Sequence, residues 1–151
     1  MMGKRTILVL FAVCLLWGCA EKPGGIIDMR ADSPMDCPTS PNCVSSQATN
    51  PDRQVEPFHL KAALKENWKR IQAQLSSLPG IRIMNNSDTL IQAECKSRVF
   101  RFVDDLTLIL NPVTGRIDIR SASRLGYSDF GVNKRRISRL RDDLKRKNIV
   151  D

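Results

Sequence analysis

Histidine is nearly absent from this chain, and its scarcity counts against nucleophilic catalysis. His59 is the only histidine among 151 residues, and aromatic residues make up 5%. A hydroxyl nucleophile needs an adjacent base, so His59 would have to meet Ser121, Ser123 or Ser128. A histidine at the start of a helix is the simpler interpretation. We therefore assign no catalytic residue from the sequence.

A long apolar run is also lacking. The apolar stretch 7–16 is shorter than the roughly 20 residues that a spanning helix needs. Two cations precede it, which is typical of a secretory signal. The residues that follow, Leu16-Trp17-Gly18-Cys19, resemble the lipobox of bacterial lipoproteins, although Trp17 departs from the usual pattern. We expect residues 1–18 to be a signal peptide and Cys19 to carry lipid; an ordinary signal or an uncleaved anchor is the alternative.

Ala20, directly after Cys19, is similar to the residue found in lipoproteins sent to the outer membrane. We therefore expect an envelope lipoprotein on the outer membrane, facing the periplasm, with the lipid bilayer as a partner. Disulfides form in that oxidising compartment.

Three cysteines remain beyond Cys19. Cys37 and Cys43 bracket a turn-rich Pro-Thr-Ser-Pro-Asn segment, and we predict a disulfide between them. A metal site shared by this pair with His59 is the weaker alternative, because it lacks a second close pair of ligands. Cys95 alternates with apolar residues, which predicts a buried thiol.

Composition divides the chain into three parts, and no internal repeat is present. After the signal, residues 19–36 have the prolines and glycines of a flexible tether. Residues 37–151 are predicted to form a single domain, which begins with an irregular loop over 37–54.

Apolar spacing within that domain predicts an α+β fold. Residues three and four apart predict helices over 57–78 and 133–147. Four strands are expected between them, at 81–85, 89–95, 99–110 and 116–121, joined by turn-forming residues of hairpin length. We expect a four-stranded antiparallel sheet with both helices packed on one face.

Alternation in the third strand separates Asp104 from Asp105. Asp104 shares the predicted core face with Phe100, Phe102 and three leucines, whereas Asp105 lies on the opposite face. A buried carboxylate needs a partner, and the nearest candidates in sequence are Ser121, Ser123 and Arg124. Asp105 is expected to pair with Arg120 or Arg101. We interpret Asp104 as a structural brace; a catalytic or binding role is the alternative.

The segment 120–136 is the most concentrated polar stretch of the chain and opens the second helix with three cations. Cations at a helix start require something negative nearby. Either Asp129 or Asp104 supplies that charge, or an external anion does. The predicted ligand-binding residues are Arg120, Ser121, Ser123, Arg124, Ser128, Asn133, Arg135 and Arg136.

Three segments, 37–46, 100–105 and 120–136, resemble the signatures of the domain of unknown function 1499 family. In this sequence they read CPTSPNCVSS, FRFVDD and RSASRLGYSDFGVNKRR. The resemblance covers about 37–147 and implies a compact domain in a bacterial envelope or a plastid. It implies no activity, cofactor or catalytic residue.

Positive charge is concentrated near the end of the chain. From Cys19 onward there are 22 Lys and Arg (24 minus two) and 16 Asp and Glu, which gives +6. Residues 134–147 hold eight of the cations and two of the acids, which also gives +6. A basic amphipathic helix on a tethered domain suits anionic headgroups or an acidic protein, or is a solvated face; nucleic acid does not suit an exported protein.

Three functions follow as hypotheses. The leading one is a non-catalytic envelope lipoprotein domain that binds an anionic ligand or partner, with no cofactor or metal. The alternatives are a hydrolase or transferase that uses Asp104 and Asp105 with the Arg/Ser loop, and a structural assembly factor of the envelope.

Overall fold

The structure of the protein is a computed structural model that describes residues 33–98 and 100–151. Its elements are β1 (Cys43–Ser45), a 3-10 turn (Pro51–Arg53), β2 (Phe58–His59), α1 (Leu64–Ser77), β3 (Ile81–Asn86), β4 (Leu90–Lys96), β5 (Val103–Leu110), β6 (Arg116–Ser123) and α2 (Val132–Arg146). The α+β class is confirmed. The expected signal peptide, Cys19 and most of the tether lie outside the described residues. Within the described ranges, no helix has the length and apolarity to cross a bilayer.

The sheet has six strands, so the expected number of four was wrong. All pairs are antiparallel, in the order β1-β6-β5-β4-β3, and β2 also pairs with β6. The two missed strands have three and two residues, too few for an alternation to be recognised. They pair with backbone groups of β6 that would otherwise form an open edge.

The first helix begins at Leu64, and the expected start at Pro57 was wrong. Phe58 and His59 are extended because they pair with Ile117 and Arg116 of β6. Leu60 is buried, as its apolar spacing predicted, but it forms a bridge to Val150 instead of a helical turn. Pairing with the sheet therefore outweighed helical periodicity over the first residues. The second helix lies within one residue of its expected bounds.

The third predicted strand also begins late, because residues 97, 98 and 100–102 lie in the connection between β4 and β5. The turn is closed by the amide of Ser97, which donates to the carbonyl of Phe102 at 2.8 Å, and by Ser97 Oγ, which accepts from the amide of Phe102 at 3.0 Å. Phe100 and Phe102 are 75% and 55% exposed, so their expected place on the core face was wrong. The alternation of β5 stops where its pairing with β4 stops, at Val103.

One hydrophobic core joins the strands and the helices. It takes alternating positions of β4, β5 and β6 and one stripe from each helix; these residues are Ile91, Ala93, Cys95, Leu106, Leu108, Leu110, Ile117, Ile119, Trp68, Ile71, Leu75, Ile137, Leu140 and Leu144. Cys95 is a buried free thiol, as predicted, and burial raises its pKa to about 11. That both helices cover the same face of the sheet stays a prediction.

Candidate functional site

A buried polar network joins β5, β6 and the first turn of α2. Asp104 is 4% exposed, and its Oδ2 accepts a hydrogen bond from Arg136 Nη2 at 2.5 Å. The other terminal nitrogen of the guanidinium donates to Ser121 Oγ at 2.9 Å and to Asn133 Oδ1. Ser121 Oγ also donates to that amide oxygen, at 2.6 Å. The carboxylate lies on the core side of β5, as predicted, but its charged partner comes from the helix.

Asn133 extends this network to two loops. Its Nδ2 donates to the carbonyl of Asn42 and to Ser123 Oγ, both at 3.1 Å. The side chain of Asn42 in turn donates to the carbonyl of Gly126 at 2.6 Å. Asn42 is the residue before Cys43, which forms the predicted disulfide with Cys37. The network therefore holds the disulfide loop, the β6–α2 loop and α2 together.

The expected partners of both aspartates were wrong in detail. Asp104 pairs with Arg136, which is 32 residues away in sequence, and not with Arg124. Asp105 pairs with Arg124 and not with Arg120 or Arg101, through bonds of 3.1, 3.1 and 2.7 Å. The register explains the second error, because Asp105 lies opposite Ala122 and Arg124 is two residues further along the same face.

Arg124 is the centre of a second charged cluster, on the outer face of the sheet. Its Nη2 lies 2.8 Å from Glu94 Oε1, and Arg82 Nη2 lies 2.7 Å from Glu94 Oε2. The hydrogen bonds with Asp105 raise the pKa of Arg124 above its usual range. The hydrogen bond from Arg82 lowers the pKa of Glu94 below its ordinary value of 4.5. The cations and acids of this cluster therefore neutralise one another.

An internal carboxylate caps the start of α2. Asp129 Oδ1 accepts from the amide of Gly131 at 2.9 Å, and Oδ2 accepts from the amide of Asn133 at 2.7 Å. Its carbonyl accepts from the amide of Val132 at 3.1 Å. Gly131 has φ of 76°, which lets the chain turn into the helix. Asp129 thus supplies the negative charge that the cations of the first turn require.

The other residues of the predicted ligand set also make internal contacts. Arg120 Nε donates to the carbonyl of Asp36 at 2.8 Å, which holds the end of the expected tether against β6. Ser128 Oγ accepts from the amide of Phe130 at 3.3 Å. Arg135 is exposed, and its Nη1 donates to the carbonyl of Phe130 at 2.8 Å. Ser121 and Asn133 are wholly buried, so an external ligand reaches neither in this conformation.

His59 lies far from the serines that nucleophilic catalysis would need. It is exposed on β2, opposite Arg116. Ser121 is five residues further along β6, which is roughly 17 Å at the rise of a strand. His59 is therefore out of reach of Ser121, and Ser123 lies still further along β6. Nor can Cys37 and Cys43 join His59 as thiolate ligands, because their sulfur atoms are bonded to one another.

Four of the exposed cations without an acidic partner lie along α2. Lys134, Arg135, Arg139 and Lys145 are exposed and form no ion pair with any described residue. A surface cavity of about 430 Å³ lies beside this helix, lined by Pro51, Gln54, Val55, Glu56, Lys134, Ile137, Ser138 and Arg141. Arg141 packs over the ring of Phe58, with 4.6 Å to the ring centroid, and burial lowers its pKa.

Sequence reasoning missed a group of exposed apolar residues at one end of the sheet. We call Phe100, Phe102, Leu125, Tyr127 and Phe130 the aromatic tip; their exposed fractions run from 55% to 86%. The β4–β5 and β6–α2 loops both leave the same end of neighbouring strands, where the amide of Arg124 donates to the carbonyl of Val103 at 3.2 Å. Arg98 and Arg101, two residues before Phe100 and one after it, were a signal against burial of that ring.

Comparison with known proteins gives a family and nothing more specific. The family model described as "Protein of unknown function (DUF1499)" matches residues 35–144, which is well over half of the chain. No curated protein and no solved structure matches significantly. The chain therefore belongs to the DUF1499 family, as the three sequence segments predicted.

Proposed function

We propose that this member of the DUF1499 family is a non-catalytic envelope lipoprotein domain, anchored through Cys19, that binds an anionic partner through the basic face of α2. The observation that carries the proposal is the group of exposed, unpaired cations on α2, at Lys134, Arg135, Arg139 and Lys145. Exposed cations that no acid neutralises attract anionic ligands over a range of about 8 Å at physiological salt.

The polar network supports a binding module over a hydrolase. Asp104 and Asp105 are the carboxylates that a hydrolase or transferase would use, and each is held by an arginine. A general base must reach its proton, but Asp104 is buried and faces Arg136. We therefore assign Asp104, Arg136, Ser121 and Asn133 to a brace that fixes the start of α2. The anionic partner meets the cations outside this brace.

The anchor is tested in cells that are fed a labelled fatty acid. We expect the full chain to incorporate the label and to sediment with membranes, and Cys19→Ala to do neither. Cys14→Ala is the matched control, because Cys14 lies in the expected signal. A Cys19→Ala protein that still carries the label would overturn the anchor.

The basic face is tested by the salt concentration that elutes the detergent-solubilised protein from phosphocellulose. Arg139→Glu with Lys145→Glu should elute at a clearly lower concentration, because both cations leave the α2 face. Lys65→Glu with Lys69→Glu is the control, since these exposed α1 lysines change the net charge by the same amount. Equal shifts in the two double variants would show that net charge alone matters, and would contradict the assigned face. An assembly factor that binds only a protein would pass the anchor test and fail this one.

A further inference from the structure

We propose that the aromatic tip enters the interface of an anionic bilayer and seats the domain on the membrane with this end of the sheet facing the lipid. The inference rests on the proposed function, since it takes the bilayer that holds the Cys19 anchor as the anionic partner. It assigns a role to five side chains that neither the core nor the polar network uses.

The placement of aromatic residues is the first support. The described residues include six aromatic side chains: Phe58, Trp68, Phe100, Phe102, Tyr127 and Phe130. Only the first two are buried, and the other four are all at the tip. The rings of Phe100 and Phe102 lie 5.8 Å apart and form one continuous apolar surface. Four exposed aromatic residues on two adjoining loops are more than scattered surface residues and indicate a contact surface.

The charges near the tip indicate what kind of partner binds there. Five exposed cations lie in or directly beside the loops that carry it, without an acidic partner among the described residues: Lys96, Arg98, Arg101, Lys134 and Arg135. The acids at this end are all engaged, Asp104 with Arg136, Asp105 with Arg124, and Asp129 with the helix amides. The exposed charge is therefore positive. Cations are attracted to anionic headgroups, and aromatic and apolar side chains insert at the boundary between headgroups and acyl chains. The tip and its neighbouring cations combine both properties.

The β6–α2 loop, which carries three residues of the tip, is bonded to the sheet and to the disulfide loop. Arg124 is bound to Asp105 and Glu94, and the carbonyl of Gly126 accepts from Asn42. Tyr127 and Leu125 therefore project from a fixed base, so inserting them costs little ordering of the backbone. The 13 residues between Cys19 and Ser33 reach at most about 45 Å when extended, which keeps the domain close to its anchor.

The experiment measures the contact depth of single tryptophans in the full lipidated protein. Tyr127→Trp and Val113→Trp are reconstituted into vesicles of phosphatidylethanolamine and phosphatidylglycerol whose acyl chains carry bromine, a contact quencher. Val113 is the matched control: it is 88% exposed and lies in the β5–β6 turn, at the opposite end of the sheet. The signal of wild-type protein, in which Trp68 is buried, is subtracted from both.

We expect quenching at position 127 to exceed that at position 113 about threefold, because apolar side chains at a bilayer interface lie about 5–10 Å deep, within contact of the brominated chains. Phosphatidylcholine in place of phosphatidylglycerol should reduce the difference. Phe100→Ser with Phe130→Ser should reduce it in the Tyr127→Trp background. Equal quenching at the two positions, or none at position 127 in protein that floats with the vesicles, overturns the membrane contact and leaves the anchor intact; a protein partner would then be the occupant. Protein that does not float with the vesicles overturns both.

Discussion

Arg136 of α2 and Asp104 of β5 form a buried ion pair, with 2.5 Å between Nη2 and Oδ2. Both side chains are largely shielded from water, at 17% and 6% exposed. Each also lies in the hydrogen-bonded network of Ser121 and Asn133. The pair therefore fixes the position of the helix relative to the sheet more than it adds to stability, since burying two charges offsets most of their attraction.

Removing one partner of this pair should be far more costly than the pair itself is stabilising. We expect Arg136→Ala to lower the free energy of unfolding by about 3 kcal/mol, because Asp104 is left buried without a counter-charge. Urea denaturation measures the change. Arg139→Ala is the control on the same helix and should stay within about 0.5 kcal/mol of wild type. A double variant, Asp104→Ala with Arg136→Ala, should cost much less than the sum of the single changes; simple additivity would mean that the two residues do not interact.

Asp129 should stabilise α2 as its capping residue. Asp129→Ala removes the acceptor for two amides and leaves Lys134 and Arg135 at a positive helix end, so we expect a loss of about 1–2 kcal/mol. Asp142→Ala, an exposed acid later in the same helix, is the comparison. Thermal melts and the helical circular dichroism signal would both report the difference. A loss no larger than that of Asp142→Ala would mean that the cap contributes little.

Acid should destabilise the domain through the outer cluster. The pKa of Glu94 is held below its ordinary value of 4.5 by Arg82 and Arg124. A carboxylate with a lowered folded pKa contributes stability above its unfolded pKa and loses it as pH falls through the folded pKa. The free energy of unfolding should therefore fall below about pH 4.5. Glu94→Gln should flatten that fall, whereas Glu66→Gln, an exposed control on α1, should follow wild type. An unchanged pH profile in Glu94→Gln would exclude this residue as a source.

The disulfide and the buried thiol make a combined prediction. Cys95 should resist alkylation in the folded protein near pH 8, because burial raises its pKa to about 11 and blocks access. In urea, where the domain is unfolded, the Cys95 thiol should be alkylated.

Replacing Cys37 and Cys43 by serine should lower the free energy of unfolding by about 2 kcal/mol, because the disulfide closes only a short loop. Mass analysis that finds the thiols of Cys37 or Cys43 alkylated without reductant would contradict the bond.

The sequence predicted the elements whose pattern is long and local. The helical stripe of Trp68, Ile71 and Leu75 and the alternation of β4 each repeat often enough to set the type of element. The strands β1 and β2 could not be predicted, because they exist only through pairing with β6 some 60 to 80 positions away. Local pattern has no information about such a partner.

The sequence predicted which residues belong to the candidate site, but not which arginine pairs with which aspartate. The burial of Asp104 followed from the period of β5, and the need for negative charge at the start of α2 was expected, with Asp129, Asp104 or an external anion as its source. Which arginine meets which aspartate depends on the β5–β6 register and on the angle of α2, which tertiary packing decides. The tip was missed because alternation was extended past Val103, where the hairpin turns.

The pairing of β6 with both β1 and β2 sets the order in which parts of the sheet can form. Cys37 and Cys43 are six positions apart and can meet early, once that segment emerges. Cys43 can pair in the sheet only after Ala122 has been made, and Leu60 can form its bridge only after Val150 has been made. Contacts between such distant residues slow folding, because a long loop must close before they form. Residues 43–45 therefore remain unpaired until β6 is in place, and Leu60 until Val150 is in place; over that interval the Cys37–Cys43 disulfide is the long-lived constraint on the first of these segments.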